Sequence, residues 1–264
     1  MNKVTWAIQT NFIATDQVTR IWDAAKAAGC AVQEIIIIPF SDDFGNEVPE
    51  MEGVVVPYGS TSLCRNAYRR KWKGNFFNKR TFRGNAWLKN RDDMLNSNCH
   101  FMKVKDTEKF FSGANDDDVW FIRPVRDLKE FNGTVTNVQE IKRWMKSTDS
   151  GNFSFNKNTE VMISPVKKIQ QEARFFVVDG KVIDGSWYRI HGQLFSQPIN
   201  DQLFMDEVQV MANKWLPHKC CVMDIAISND EIKVIEFNTL NGSGFYYNNI
   251  EKIVTAVSEY AKTL

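Results

Sequence analysis

The feature that most restricts the fold is a pair of β-hairpins in the second half of the chain. Glu172–Val178 and Lys181–Arg189 flank Asp179-Gly180, a two-residue turn signal between apolar-rich runs. A second pair, Cys220–Ser228 and Glu231–Asn238, turns at Asn229-Asp230, and a helical pattern from about Asp201 to Trp215 separates the two. This part of the chain therefore reads as antiparallel sheet crossed by a helix. The first third follows a different rule. Val4–Gln9 reads as a strand, Thr15 or Asp16 as the cap of a helix running to Ala28 with Gly29 as its stop, Ala31–Ile38 as a buried strand ended by Pro39, and Val54–Pro57 as a third strand before another helix. Strands alternating with a helix point to a small parallel sheet covered by helices, so the whole is α+β. Between the two regions, Val119–Val125 reads as a strand, Val138–Lys146 as a helix and Thr159–Ile169 as a long strand containing Pro165. A last helix runs from about Asn248 to Ala261.

Length and composition set the outer limits. The 264 residues correspond to about two domains or lobes. With 43% hydrophobic and 25% charged residues the chain is neither disordered, collagen-like nor a coiled coil. The longest aliphatic run, Ile35–Ile38, is far short of the ~20 residues that span a bilayer. No secretory leader is visible at the start. The five cysteines (Cys30, Cys64, Cys99, Cys220 and Cys221) are odd in number and irregularly spaced, which reads as reduced thiols in a cytoplasmic protein.

Residues 65–91 differ from the rest. They contain ten Lys/Arg and no Asp/Glu, with Tyr68, Trp72, Phe76, Phe77, Phe82 and Trp87 interleaved. The net charge of +1 hides this asymmetry, since the remainder of the chain stands at −9. Two readings are open: a solvated basic loop with its rings in the core, or a nucleic-acid surface with phosphates on the basic heads and bases on the rings.

The carboxylates most suited to chemistry lie on the second hairpin. Glu236 and Asn238, two apart on a strand, leave the same face, and Asp224 lies on the partner strand, opposite or one step diagonal to Glu236. Two carboxylates and an amide oxygen form a hard donor set suited to Mg²⁺ bridging nucleotide phosphates. An exposed polar face paired with lysines is the other reading. The flanking sequences VMDIAI and KVIEFN are otherwise apolar, and acids on a buried face need a cation. On the first hairpin Glu172 and Arg174 share a face, where Arg174 can grip phosphate or close a cross-strand ion pair. Arg123 sits in VWFIRP, where a charge is costly without a partner, and the following loop carries Lys129 and Gly133-Thr134. There is no G-x-x-x-x-G-K-[ST], no H-E-x-x-H and no G-x-S-x-G. Gly242-Ser243-Gly244 lacks the context of a dinucleotide fingerprint, and His100, His191 and His218 are scattered.

In order, WFIRPVRDLKEFNG, MISPVKKIQQEARFFVVDGKVIDGSWYRI, VMDIAI and KVIEFNTLNGSGFYYNNI resemble the ATP-grasp fold, and in particular its small phage and bacterial families with Arg in place of the first nucleotide-binding Lys. The resemblance spans roughly residues 118–255. It implies an N-terminal α/β lobe over 1–100 and an ATP-grasp domain over 101–264, whose two subdomains grip ATP. Carried over by position, it implies that Arg123, Lys129 and Gly133 contact the ATP phosphates. The backbone groups of Ser164 and Val166 would approach adenine, with Lys168 as the second lysine of the pattern. Glu172 and Arg174 match its E-x-R, with Arg174 acting in catalysis beside Arg123 and Lys129. Asp224, Glu236 and Asn238 match its Mg²⁺ ligands. Ser186, Tyr188, Gly242, Ser243, Gly244 and Tyr246 fall on the substrate side.

The implied reaction is ATP- and Mg²⁺-dependent ligation of a small-molecule or peptide carboxylate to an amine through an acyl-phosphate, in the cytoplasm (a host's, if the chain is phage-encoded). A kinase that phosphorylates a hydroxyl and stops uses the same clamp. A nucleic-acid-binding module, or a ligase acting on nucleic acid through residues 65–91, is the remaining alternative.

Overall fold

The structure is a computed structural model, and it describes residues 2–39, 41–126, 131–147 and 155–264. In chain order the strands and helices are β1 (Val4–Gln9), α1 (Thr15–Ala27), β2 (Ala31–Ile35), β3 (Val54–Tyr58), α2 (Thr61–Arg69), α3 (Gly84–Asn90), β4 (His100–Lys103), α4 (Thr107–Phe110), β5 (Val119–Pro124), β6 (Thr134–Asn137), α5 (Val138–Ser147), β7 (Glu160–Pro165), β8 (Gln171–Val178), β9 (Lys181–Ile190), β10 (Gln193–Pro198), α6 (Gln202–Lys214), β11 (Cys221–Ser228), β12 (Glu231–Asn238) and α7 (Ile250–Ala261). They form a parallel sheet β2-β1-β3, a five-stranded sheet β10-β9-β8-β11-β12 and an antiparallel sheet β4-β7-β5-β6.

Packing divides the chain into two compact units. The first takes residues 1–78, 171–225 and 237–264; the second takes 79–170 and 226–236.

In the first unit every residue of β1 is buried, as expected of the centre of a parallel sheet covered on both faces. One face joins a core that includes Trp6, Ile8, Ile21, Phe176, Phe245 and the Ile253/Val254/Val257 stripe of α7. The other face packs Ala7, Ile35, Val55 and Leu63. The one polar atom of Trp6 is satisfied inside this core, where its indole N–H donates to Ser258 Oγ at 2.9 Å. Both two-residue turns are as expected: Asp179 and Gly180 (φ 49° and 78°) and Asn229 and Asp230 (φ 52° and 61°) are all left-handed, the pairing that matches strand twist. The second unit has its own core of Val104, Phe111, Ile122, Val138, Ile141, Val161 and Ile163.

Several boundaries differ from the sequence expectation. The residue capping α1 is Ala14, and its side chain caps nothing, so neither Thr15 nor Asp16 is the cap. β2 ends at Ile35 because the chain turns back on itself: Asn46 Oδ1 takes the Ile36 N–H and Ile37 bridges Phe44. β7 stops at Pro165, and the chain is picked up again only where the Gln170 N–H meets Ile227 O. Residues 65–91 are not a loop but carry the end of α2 and all of α3. Phe76, Phe82 and Trp87 are buried, while Arg65 and Arg69 pair with Asp42, Arg83 with Glu160 and Arg91 with Asp93. Of the six rings in this segment three are buried, Trp72 and Phe77 are partly buried and Tyr68 is exposed.

Candidate active site

In the first unit the site residues gather around Arg174. The Asp179-Gly180 turn starts the β8–β9 register, a bulge at Ile183 shifts it by one residue, and Arg174 comes to lie opposite Ser186. A bulge follows: Glu172 faces Arg189 and Ala173 faces Trp187, leaving Tyr188 as the extra residue. That displacement lets the Tyr188 hydroxyl donate to Glu172 Oε2 at 2.9 Å, with Arg189 Nε 3.8 Å from Oε1. Arg174 reaches β11 rather than its hairpin partner. Its Nε and one terminal nitrogen donate to the two oxygens of Asp224 at 2.8 and 2.7 Å, and the other terminal nitrogen donates to Gly244 O at 3.0 Å. Asp224 is 2% exposed, and Asn238 Nδ2 donates to its Oδ2 at 3.1 Å. Burial works against the Arg174 charge, but the Asp224 carboxylate outweighs it and holds the guanidinium pKa above its ordinary value. Two aromatic rings complete the setting. Tyr188 and Tyr246 stack at 4.8 Å and 12°, and the guanidinium carbon lies 4.9 Å from the Tyr246 ring centre.

The substrate-side positions are less alike than the sequence implies. Ser186 is fully buried, with its hydroxyl oxygen accepting from Asn248 Nδ2 at 2.7 Å. Ser243 is also buried; its hydroxyl donates to Thr239 O and its carbonyl accepts from Tyr58 at 2.6 Å. Gly242 lies against Gly59, whose carbonyl oxygen would be 3.0 Å from an added Cβ. Tyr246 is exposed and holds a left-handed backbone, φ 51°, which a non-glycine residue seldom adopts. Neighbouring Asn241 is fully buried and joins this loop to the end of β3: its Nδ2 donates to Pro57 O and Gly74 O, and its own carbonyl accepts from Gly59 N–H.

In the second unit the site residues gather around Arg123. Its side chain is buried to 10% exposure, donates through Nε to Pro124 O at 3.3 Å, pairs with Glu236, and lies over the Trp87 ring at 5.3 Å. Gly133 packs flat on this group, since an added Cβ would meet the Phe121 ring at 3.0 Å and Arg123 Cβ at 3.3 Å. Phe131, beside it, is anchored against Trp144 and Phe155. Ser164 is wholly buried, and its hydroxyl donates to Asn96 Oδ1 at 2.8 Å. Val166 and Lys168 are exposed, and the Lys168 carbonyl accepts from Ser228 Oγ at 2.9 Å. Lys129 lies outside the described residues.

Trp87 and Asn248 are partners that sequence reasoning missed as such. Trp87 lies 36 residues from Arg123 in the basic-aromatic window, where nothing local marks it as the ring under that charge. Asn248 sits at the end of the NGSGFYYNN run, a polar cluster that signals a loop without saying which amide turns inward.

The donor set suits a hard divalent cation. Asp224 and Asn238 in the first unit and Glu236 in the second bring oxygen donors, and the cation that each acid's burial calls for is an arginine, Arg174 for Asp224 and Arg123 for Glu236. Among the described residues no group of three or more His, Cys, Asp or Glu is arranged to hold a metal.

Comparison with known proteins bears on the fold. No curated protein sequence matches the chain. Among solved structures it is similar to the D-cycloserine synthetase DcsG, at TM-score 0.64 and 11% identity over 98% of this chain and 100% of that one. It is also similar to the ATP-grasp ligase PsnB complexed with a precursor peptide and AMPPNP, at TM-score 0.55 and 11% identity over 98% and 97%. A D-alanine–D-alanine ligase from Bacillus anthracis complexed with ATP matches at TM-score 0.58 and 11% identity over 99% and 97%. The model of an ATP-grasp domain family, the second family of its clade, matches residues 99–256, and the chain belongs to that family, with its α+β ATP-grasp fold.

Proposed function

We propose that this protein is an ATP- and Mg²⁺-dependent ligase that joins a carboxylate to an amine. The observation that carries the reading is the pairing of charges. Each acid expected to hold metal is matched with an arginine expected to hold phosphate: Asp224 with Arg174, and Glu236 with Arg123. Asp224, Glu236 and Asn238 would hold Mg²⁺, which when bound supplies charge neutralisation for the phosphoryl group in transfer. Arg123, Lys129, Gly133, Ser164, Val166, Lys168 and Glu172 would bind ATP. Arg174 would orient the γ-phosphate through its planar fork, a geometry that a lysine does not offer.

The chemistry balances in two steps. A substrate carboxylate oxygen attacks the γ-phosphorus and ADP leaves, giving an acyl-phosphate. An amine nitrogen then attacks the acyl carbon, the C–O bond to phosphate breaks, and an amide, inorganic phosphate and one proton result.

The acceptor would lie at the loop from Gly242 to Tyr246, beside Ser186 and Tyr188. Residues 1–100 would act as a lobe shaping that site and 101–264 as the catalytic domain. Support for this role of the N-terminal residues comes from Tyr58, Gly59 and Gly74, which hold the loop at Ser243 and Asn241. The relatives whose names specify an amino-acid or peptide substrate point to the same classes for this chain. A cytoplasmic location fits five cysteines that form no disulfide. No helix among the described residues is long and apolar enough to cross a membrane.

Calorimetric titration with AMP-PNP, with Mg²⁺ and then with EDTA, tests the nucleotide site. Hydroxylamine trapping with ATP and a panel of carboxylic acids then tests the chemistry. Mg²⁺-dependent binding and a hydroxamate product are expected. ADP release on hydroxyl compounds without hydroxamate would make the protein a kinase, and no nucleotide binding would overturn the reading.

A further inference from the structure

One guanidinium connects the candidate metal carboxylate to the candidate acceptor loop. All three side-chain hydrogen bonds of Arg174 are spent on those two groups: two on Asp224 and one on the carbonyl of Gly244. The Asp224 carboxylate is correspondingly well occupied. Of the roughly four lone-pair positions on its two oxygens, the arginine fork takes two and Asn238 a third. Asn238 turns its nitrogen toward Asp224, so in this state the amide satisfies the carboxylate. Mg²⁺ binds carboxylate oxygen at about 2.0–2.1 Å, and two cations crowded onto one buried carboxylate repel strongly where the dielectric is low.

On the loop side, Gly244 precedes a strained residue by two. Tyr246 keeps φ 51° while its ring is stacked on Tyr188 and lies over Arg174. Asn248 ties the same stretch to β8 and β9, donating to Phe245 O, to Arg174 O and to Ser186 Oγ. Arg174 is therefore the removable part of a small assembly whose other members hold the loop from below.

We propose that Arg174 is a latch opened by the metal–nucleotide complex. With metal and nucleotide bound, Asp224 would release Arg174, and the freed guanidinium would leave Gly244 and turn to phosphate. The Gly244–Tyr246 segment then relaxes from its strained form into the one that receives the acceptor. Two consequences follow, both resting on the functional reading above. Metal without nucleotide binds weakly, because nothing draws the arginine away. Substrates bind in order, nucleotide before acceptor.

The test uses Mn²⁺ as the probe, with free Mn²⁺ followed by electron paramagnetic resonance in the absence of nucleotide. Arg174→Met should bind Mn²⁺ about tenfold or more tighter than wild type, and Arg174→Lys should fall between, since lysine keeps the charge but cannot fork. Equal or weaker binding by Arg174→Met overturns the latch. Because that variant leaves Asp224 without its cation and can lose its fold, the wild type is measured as well. The Arg174 Nε–H, hydrogen-bonded to Asp224, should give a protected resonance identified by its absence from the lysine variant, and that resonance should shift and lose its protection on adding Mg²⁺ with AMP-PNP. An unchanged resonance at saturation overturns the latch. If wild type binds Mg²⁺·AMP-PNP and Asp224→Asn weakens that binding, but Mn²⁺ affinity does not rise in Arg174→Met, the latch fails while the metal site stands. If wild type binds no Mg²⁺·AMP-PNP and Asp224→Asn changes nothing, the functional reading fails and takes the latch with it.

Discussion

Arg123 and Glu236, 113 residues apart in sequence, form a partly buried ion pair with the ring of Trp87 beneath the guanidinium. The pair is neutral as a unit, and it places one cation and one anion at a single point of the second unit. Removing either member uncovers the other, so the two residues cannot be tested as independent contributors.

The first prediction concerns the acid. Glu236→Gln keeps the size and a hydrogen-bond acceptor for Arg123 but loses the charge. Turnover should fall by about a hundredfold or more, with the fold intact by circular dichroism. Full activity in this variant would remove Glu236 from the metal site.

The second concerns the base. Arg123→Ala leaves the Glu236 charge partly buried without its partner and strips the face of Trp87. A loss of about 3 kcal/mol in urea unfolding is expected, whereas Arg123→Lys should keep most of the stability yet bind ATP about tenfold more weakly. A lysine variant with wild-type affinity for ATP would show that the planar fork is not used.

A third prediction is purely steric. Gly185 is opposite Phe175 across β8 and β9, and an added Cβ would lie 2.4 Å from the Phe175 ring. Gly185→Ala should cost about 1–3 kcal/mol by overpacking, measured by thermal or urea unfolding. A neutral result would mean that the hairpin can open at this point, beside Ser186.

A fourth concerns pH. His218 is held below its ordinary pKa, first by burial; its Nδ1 accepts the Cys220 N–H at 2.9 Å and its ring lies against Phe76. A histidine whose folded pKa is depressed binds more protons when unfolded. The stability it contributes is therefore full above its unfolded pKa of about 6.5 and is lost as pH falls through that value toward the lower folded pKa. Between about pH 7.5 and pH 5.5 the urea midpoint should drop by more in wild type than in His218→Asn. Parallel pH profiles would show that His218 is not the group responsible.

The architecture was legible where a rule is local. The left-handed Asp179-Gly180 and Asn229-Asp230 turns follow from the conformational freedom of Gly, Asn and Asp, and they set the hairpins on which Arg174 and Asp224 ride. The β1 strand follows from a largely apolar run, and the α6 start from Asp201, whose side chain accepts the Phe204 N–H. Charge type was legible too: Asp224, Glu236, Arg123 and Arg174 stand in apolar surroundings where each needs a partner, and each has one.

Local signals in the chain settle which neighbouring segments fold against each other and which side chains must be neutralised. Which charge neutralises which was decided by the tertiary structure. Arg174 could have closed a pair with a hairpin neighbour, but a one-residue bulge at Tyr188 gives Glu172 to Tyr188 and Arg189, and Arg174 reaches Asp224. The segment 65–91 tells the same story: its composition allowed a nucleic-acid surface, and only packing showed Phe76, Phe82 and Trp87 turned inward, with four of its arginines on Asp42, Glu160 and Asp93. Local rules act through neighbours along the chain, whereas a buried charge is satisfied through space, and the nearest partner in space is known only once the chain has folded.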